Sequence, residues 1–164
     1  MTASSSNPTA ADEDDKLTVS CHCGRVRLTL PYLRPRVPIN ECRCSVCYKY
    51  GALWGYFARD SVKVSTLSPT GEHSSDPMMD GYVRATEDSD DGGAAGDLTF
   101  QRCANCGVVT HWWAIKGKHD FEGDVVWEDA EGRGGKDVEK MGVNMRLVPE
   151  KEVLGMERKV SNGP

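Results

Sequence analysis

The spacing of seven cysteines is the feature that most constrains this chain. They form three short clusters: Cys21-x-Cys23, Cys42-x-Cys44-x-x-Cys47 and Cys103-x-x-Cys106. C-x-C and C-x-x-C spacings let neighbouring thiolates reach one tetrahedral metal ion, whereas half-cystines this close form strained disulfide loops. An odd number would also leave one thiol over in a disulfide framework. The spacing therefore predicts two metal sites, one with four thiolates and one with three.

Length and charge narrow the class of protein further. A chain of 164 residues suits one domain, which we place at 16–150, between a disordered acidic and serine-rich tail (1–15) and a C-terminal tail (151–164). The net charge of −5 provides no basic surplus for nucleic acid, and no apolar run approaches the roughly 18–20 residues of a membrane span. Because the N-terminus lacks the pattern of a secretory signal, we expect a cytoplasmic protein with reduced or metal-bound cysteines.

Short alternating runs of apolar and polar residues predict a mainly β fold with little helix. Glycine-rich and charged loops are expected at 86–93 and 128–140, and Pro149 can open one helical turn. The predicted strands lie at 24–30, 52–57, 61–64, 81–85, 98–100, 108–115, 125–127 and 143–148.

The cysteine clusters predict two different kinds of metal site. Cys103 and Cys106 precede Gly107, which permits the left-handed turn of a zinc knuckle. This pair supplies only two ligands, so the pair Cys21 and Cys23 is its natural partner. The alternative is that these are two isolated thiol pairs at the surface.

The triplet of Cys42, Cys44 and Cys47 supplies three thiolates from six residues. Three protein ligands leave a zinc ion one open position for chemistry, whereas four close it. Two alternatives stay open: one of the three is a spare thiol, or the triplet completes a single site with one of the pairs.

The clusters and their flanks resemble the glutathione-dependent formaldehyde-activating enzymes and their relative centromere protein V. The resemblance covers about residues 17–148 and implies a tent-like β fold that holds zinc. The resemblance assigns four cysteines to a structural zinc and the triplet to a catalytic one. This chain departs from the family in two insertions, 86–97 and 129–140. The matching segments are Cys21-His-Cys23-Gly24, Cys42-Arg-Cys44-Ser-Val-Cys47, Phe100-Gln-Arg-Cys103-Ala-Asn-Cys106-Gly107 and Val143-Asn144-Met145-Arg146.

Five further residues are candidates for the catalytic site or the substrate pocket. His111 could carry a proton beside an open zinc, although a hydrogen-bonded packing residue is the simpler interpretation. Tyr48 and Lys49 follow the triplet directly and are candidates for a pocket wall. Trp54 is a further candidate for substrate binding, with the core as its default position. Arg25 could pair with a carboxylate of a peptide such as glutathione, unless it lies on a solvated strand face.

Our leading functional hypothesis is a zinc-dependent carbon–sulfur lyase acting on a small thiol and an aldehyde. The resemblance implies that these are glutathione and formaldehyde, with S-hydroxymethylglutathione as the product. Three thiolates donate strongly to zinc, so we expect the second zinc to bind a thiol through sulfur better than it activates water. The alternatives are a lyase or isomerase acting on another small metabolite in a biosynthetic pathway, and a zinc-stabilised protein-binding module without catalysis.

Overall fold

The computed structural model describes residues 16–31, 38–67, 78–85, 95–114 and 139–162. These residues form ten strands and two short helices, so the predicted mainly β class is confirmed. The expectations for 1–15, 86–93, 125–127 and most of 128–140 fall outside the described residues. The elements are β1 (Leu17–Ser20), β2 (Val26–Leu30), β3 (Ile39–Cys42), α1 (Ser45–Tyr50), β4 (Trp54–Ala58), β5 (Lys63–Thr66), β6 (Met79–Ala85), β7 (Ala95–Cys103), β8 (Val109–Ala114), β9 (Lys140–Asn144), α2 (Glu150–Val153) and β10 (Arg158–Ser161).

The strands form two sheets. The small sheet has the order β1-β2-β5, and the large sheet has the order β10-β3-β4-β9-β8-β7-β6. All pairs are antiparallel except β10 with β3, which is parallel. Within the described part of the chain, no helix is long and apolar enough to span a membrane.

The main core lies between the two sheets. Val26, Leu28 and Leu30 alternate along β2 and are fully buried, as expected for a strand with one apolar face. They share a cluster with residues of the large sheet that include Phe57 and Val143. Burial of these apolar surfaces is the main source of stability for the sandwich.

A second packing cluster occupies the other face of the large sheet. It includes Trp54, Phe100 and Trp112 together with Cys47. Trp54 and Phe57 are an odd number of residues apart on β4, so their side chains leave opposite faces of the strand. The large sheet is therefore apolar on both faces.

The C-terminal part of the domain differs from its predicted boundaries. The strand expected at 143–148 begins earlier, at Lys140, and ends at Asn144, where a 3₁₀ turn (Met145–Leu147) begins. The Asn144 side chain caps this turn, since its Oδ1 accepts from the Arg146 N–H while its Nδ2 donates to the Val109 carbonyl. The helical turn expected after Pro149 is present as α2.

Strand β10 was not predicted, because its residues carry no alternating apolar pattern. It pairs with β3 through the register Arg158 to Ile39 and Ser161 to Cys42. This pairing brings a C-terminal strand against the segment that carries the cysteine triplet.

Candidate metal centres

The first candidate metal centre joins the two sheets. Cys21 and Cys23 lie in the turn between β1 and β2, while Cys103 ends β7 and Cys106 lies in the turn before β8. Their four sulfur atoms lie within 4.8 Å of one another. The Cys23 sulfur is 3.6 Å from both the Cys21 and the Cys103 sulfur, which is far longer than a disulfide bond of about 2.05 Å.

These separations fit a tetrahedral metal ion. Zinc–sulfur bonds of about 2.3 Å place the sulfurs of a tetrahedral site about 3.8 Å apart, close to the 3.6 Å separations in this cluster. The residues therefore fit a closed site with four sulfur ligands.

Two similar turns form this cluster. Gly24 and Gly107 follow the cysteine pairs with φ of 76° and 73°, a left-handed conformation that glycine adopts without strain. The Gly24 N–H donates to the Cys21 carbonyl, and the Gly107 N–H donates to the Cys103 carbonyl, both at 2.9 Å. The left-handed turn predicted at Gly107 is therefore present, and Gly24 forms a second turn of the same kind.

Backbone groups also act on the sulfurs directly. The Val26 N–H donates to the Cys21 sulfur at 3.3 Å, and the Arg25 N–H is the main reason why the pKa of Cys23 falls to about 6. Burial raises the pKa of Cys103 to about 12. Part of the cluster is therefore ready to bind a cation as thiolate, while the buried thiol must lose its proton on binding.

The second candidate metal centre lies where β3 runs into α1. Cys42 ends β3, Cys44 is the residue before α1, and Cys47 lies on its inner face. The three sulfurs lie within 4.8 Å of one another, and no fourth histidine, cysteine or acidic side chain joins them among the described residues. The triplet and the two pairs thus form separate clusters, so the alternative in which the triplet shares a single site with one of the pairs does not hold.

The buried aromatic cluster orients one of these thiols. Trp54 is 1% exposed, and its indole N–H donates to the Cys47 sulfur at 3.3 Å. Trp112 packs edge-to-face on Trp54, with ring centroids 6.3 Å apart. Trp112 in turn lies on Gly142 of the next strand, where a Cβ atom would come within 2.1 Å of the indole.

A hydrogen bond between the thiols of Cys42 and Cys47 shifts their pKa values in opposite directions. The pKa of Cys42 is lowered to about 5, first because Cys47 donates a hydrogen bond to its sulfur. The same contact, together with burial, raises the pKa of Cys47. A cation bound by all three sulfurs would displace the proton of Cys47.

The other predicted site residues lie at different distances from the triplet. Tyr48 is 75% exposed and Lys49 is also exposed, both on α1 next to Cys47. Trp54 contacts the Cys47 sulfur from inside the core. Arg25 belongs to the turn of the four-cysteine cluster, where its backbone contacts Cys23.

His111 lies on the face of β8 opposite to Trp112. It is completely buried, and its Nδ1 is 2.8 Å from the Thr110 hydroxyl, while its Nε2 has no hydrogen-bond partner among the described residues. Burial, with a contribution from the Arg59 charge, lowers its pKa to about 3. The ring stacks near Trp113, with centroids 4.8 Å apart. Its position is that of a neutral packing residue on the far side of the sheet from the triplet.

The sequence did not single out Tyr56, which packs in the cluster of the triplet, or the three polar residues around it. Asn40 donates to the Tyr56 hydroxyl and accepts from the Ser161 hydroxyl at 2.9 Å. The Lys140 ammonium lies 3.7 Å from the centre of the Tyr56 ring. Alternation along β4 would have placed Tyr56 on the same face as Trp54. Ser161 and Lys140 are brought here by strand pairing between distant segments, and the sequence carries no local pattern for it.

The fold and its two clusters define a mainly β protein in which four and three cysteines could each hold a metal ion. No family model matches this chain, and no curated protein matches it. The chain is similar to a protein of Rhodobacter sphaeroides known from its crystal structure, with a TM-score of 0.53 and 17% identity over 87% of this chain and 100% of the other. At this identity the likeness supports the fold alone.

Proposed function

We propose that this protein is a zinc-dependent carbon–sulfur lyase that joins a small thiol to an aldehyde and catalyses the reverse reaction. The supporting observation is the convergence of three cysteine sulfurs, with no fourth protein ligand in the described residues, beside a separate cluster of four. The resemblance to the glutathione-dependent formaldehyde-activating enzymes supports glutathione and formaldehyde as the substrates.

The two clusters suit zinc in different roles. Four sulfurs would saturate an ion held by Cys21, Cys23, Cys103 and Cys106 and leave it a structural role. In the triplet, zinc would supply a soft open position at which a thiol is kept deprotonated at neutral pH. Three thiolates and one divalent ion carry a net negative charge, so this site is poorly suited to activating water.

The protein supplies orientation around the triplet. Trp54 donates to the Cys47 sulfur from the core and fixes the orientation of this ligand. Tyr48 and Lys49 are exposed on α1 at this position, and the Lys49 ammonium could attract the carboxylates of glutathione.

The proposed reaction is balanced without a redox partner. The thiol loses its proton to solvent, and its sulfur forms a bond to the carbonyl carbon. The π electron pair of the carbonyl moves to oxygen, which takes up a proton from solvent to give the hydroxymethyl thioether. Acceleration requires a reactive thiolate and a stabilised oxygen, which are the two features expected of the site.

Cobalt substitution provides the test. Titrating glutathione into the cobalt protein should change the sulfur-to-metal charge-transfer band, and acetate should leave it unchanged. The zinc protein should also accelerate formation of S-hydroxymethylglutathione, while Cys44→Ser should be folded and inactive. An unchanged band and an uncatalysed rate with the wild-type protein would contradict the proposal and favour a non-catalytic binding module.

A further inference from the structure

Tyr56 is a polar aromatic residue of the cluster that contains the cysteine triplet. It packs against the same cluster as Cys42, Cys44 and Cys47, and its ring meets Trp112 edge-to-face with centroids 6.0 Å apart. Burial raises the pKa of Tyr56 to about 12, with smaller contributions from the charges of all three cysteines. Burial therefore keeps the hydroxyl protonated at neutral pH, and the side chain shares a packing cluster with the triplet.

The Tyr56 hydroxyl is oriented by a chain of hydrogen bonds. Asn40 Nδ2 donates to the Tyr56 oxygen, and the Ser161 hydroxyl donates to Asn40 Oδ1 at 2.9 Å. Ser161 is placed there by the register of β10 on β3, where it pairs with Cys42. The Tyr56 oxygen thus accepts from Asn40, while its own hydrogen has no acceptor among the described residues.

The Tyr56 ring is held in place by its neighbours. The Lys140 side chain is 5% exposed, and its ammonium lies 3.7 Å from the ring centre. No carboxylate of the described residues lies within ion-pair distance of Lys140. Trp112 on one side and Lys140 over the ring restrict its rotation, so the free O–H group is preorganised.

We infer that the Tyr56 hydroxyl donates a hydrogen bond to the oxygen of the thiol–aldehyde adduct at the triplet, with Asn40 as its positioning residue. This inference rests on the proposed function. In the adduct a single carbon separates sulfur from oxygen, so a sulfur held at the triplet brings the oxygen beside it. A fixed O–H donor there stabilises the negative charge that develops on oxygen when the carbon–sulfur bond forms.

The test compares two ligands of similar size on the cobalt protein. Thioacetate carries an oxygen on the carbon next to sulfur, as the adduct does, and ethanethiol lacks it. Tyr56→Phe keeps the ring and removes only the hydroxyl, and Tyr82→Phe is the matched control because Tyr82 is an exposed tyrosine on β6. Charge-transfer titration gives both dissociation constants, and far-UV circular dichroism with metal content checks folding.

The expected result is a loss of affinity for thioacetate but not for ethanethiol. Tyr56→Phe should weaken thioacetate by about tenfold or more and leave ethanethiol unchanged, and kcat for adduct formation should fall about 100-fold. Tyr82→Phe should match the wild type in each measurement. Equal affinities for thioacetate in Tyr56→Phe and wild type would overturn the inference while leaving the proposed function intact.

Two further outcomes separate a failure of the proposed function from a failure of the variant to fold. If neither thiol changes the wild-type band, the proposed function fails before Tyr56 is tested, and the inference falls with it. If Tyr56→Phe does not fold with two metal ions, Asn40→Ala decides, because it leaves the tyrosine in place but frees its hydroxyl. A lower kcat at unchanged ethanethiol affinity then supports the inference, and an unchanged kcat overturns it.

Discussion

Replacing Gly142 by alanine should test the packing beneath the cysteine triplet. A Cβ atom at Gly142 would lie 2.1 Å from Nε1 and 2.3 Å from Cε2 of Trp112, whereas ordinary contacts begin at 3.4 Å. The indole must therefore retreat by about 1 Å or more. Its movement is limited, because Trp54 and Tyr56 meet it edge-to-face.

The expected cost follows from two opposing effects. Overpacking a well-filled core costs about 1–3 kcal/mol. Replacing glycine by alanine in a strand returns about 0.5–1 kcal/mol of backbone entropy, and Gly142 has no left-handed φ that alanine would find strained. Gly142→Ala should therefore lose about 1–2 kcal/mol of stability, which lowers Tm by roughly 2–8 °C in a domain of this size.

Thermal melts of the metal-loaded protein measure this loss, with Gly81→Ala as the matched control. A Cβ atom at Gly81 meets the Gln101 Nε2 atom at 2.8 Å, the end of a flexible side chain that can move aside. Its Tm should change less. The double variant with Trp112→Leu should be less destabilised than the sum of its two single changes. A Tm for Gly142→Ala at or above wild type would refute the placement of Trp112 on this glycine.

Three further predictions address the metal centres and a buried charge. Trp54→Phe removes the donor to Cys47 and should weaken metal binding at the triplet about 10–100-fold. Chelator competition should show unchanged metal affinity at the four-cysteine site, and equal weakening of both sites would contradict the prediction. Cys21→Ser should be insoluble or unfolded, whereas Cys44→Ser should fold with one metal ion fewer; similar melts for the two would contradict the different roles. Burial lowers the pKa of Lys140 from 10.5 to about 8, so between these values the unfolded chain binds more protons and stability rises with pH. Denaturant unfolding should therefore show that Lys140→Met is more stable than wild type at pH 7, and that this difference in stability shrinks above about pH 8. A difference that does not change with pH would exclude the buried charge of Lys140 as its cause.

The sequence predicted local features of this protein well. Cysteine spacing predicted the division into four and three, because ligands close in sequence are held together by one turn or one helix end. Alternation predicted β2, since one of its faces is buried and the other is exposed. Gly107 predicted a left-handed turn, and its φ is 73°.

Features that depend on distant pairing could not be predicted. Strand β10 is short and exposed, and backbone hydrogen bonds to β3 define it more than any apolar pattern. The neighbours of Tyr56 come from β3, β9 and β10, so only the sheet order brings Asn40, Lys140 and Ser161 together. The sequence also could not predict which face of the sheet His111 occupies. Strand β8 is buried on both faces, so the apolar pattern does not distinguish one face from the other.

The placement of the two cysteine clusters explains why their loss should have different consequences. The first cluster connects the β1–β2 turn of the small sheet to the β7–β8 turn of the large sheet. A metal ion there would link segments about 80 residues apart in sequence, so removing it frees two hairpins and exposes the core between the sheets. The triplet instead lies within six consecutive positions that run from the end of β3 into α1, on the face of the large sheet away from that core. We therefore expect that losing an ion from this local segment costs the fold less than losing one from the first cluster, as the catalytic role proposed for the triplet requires.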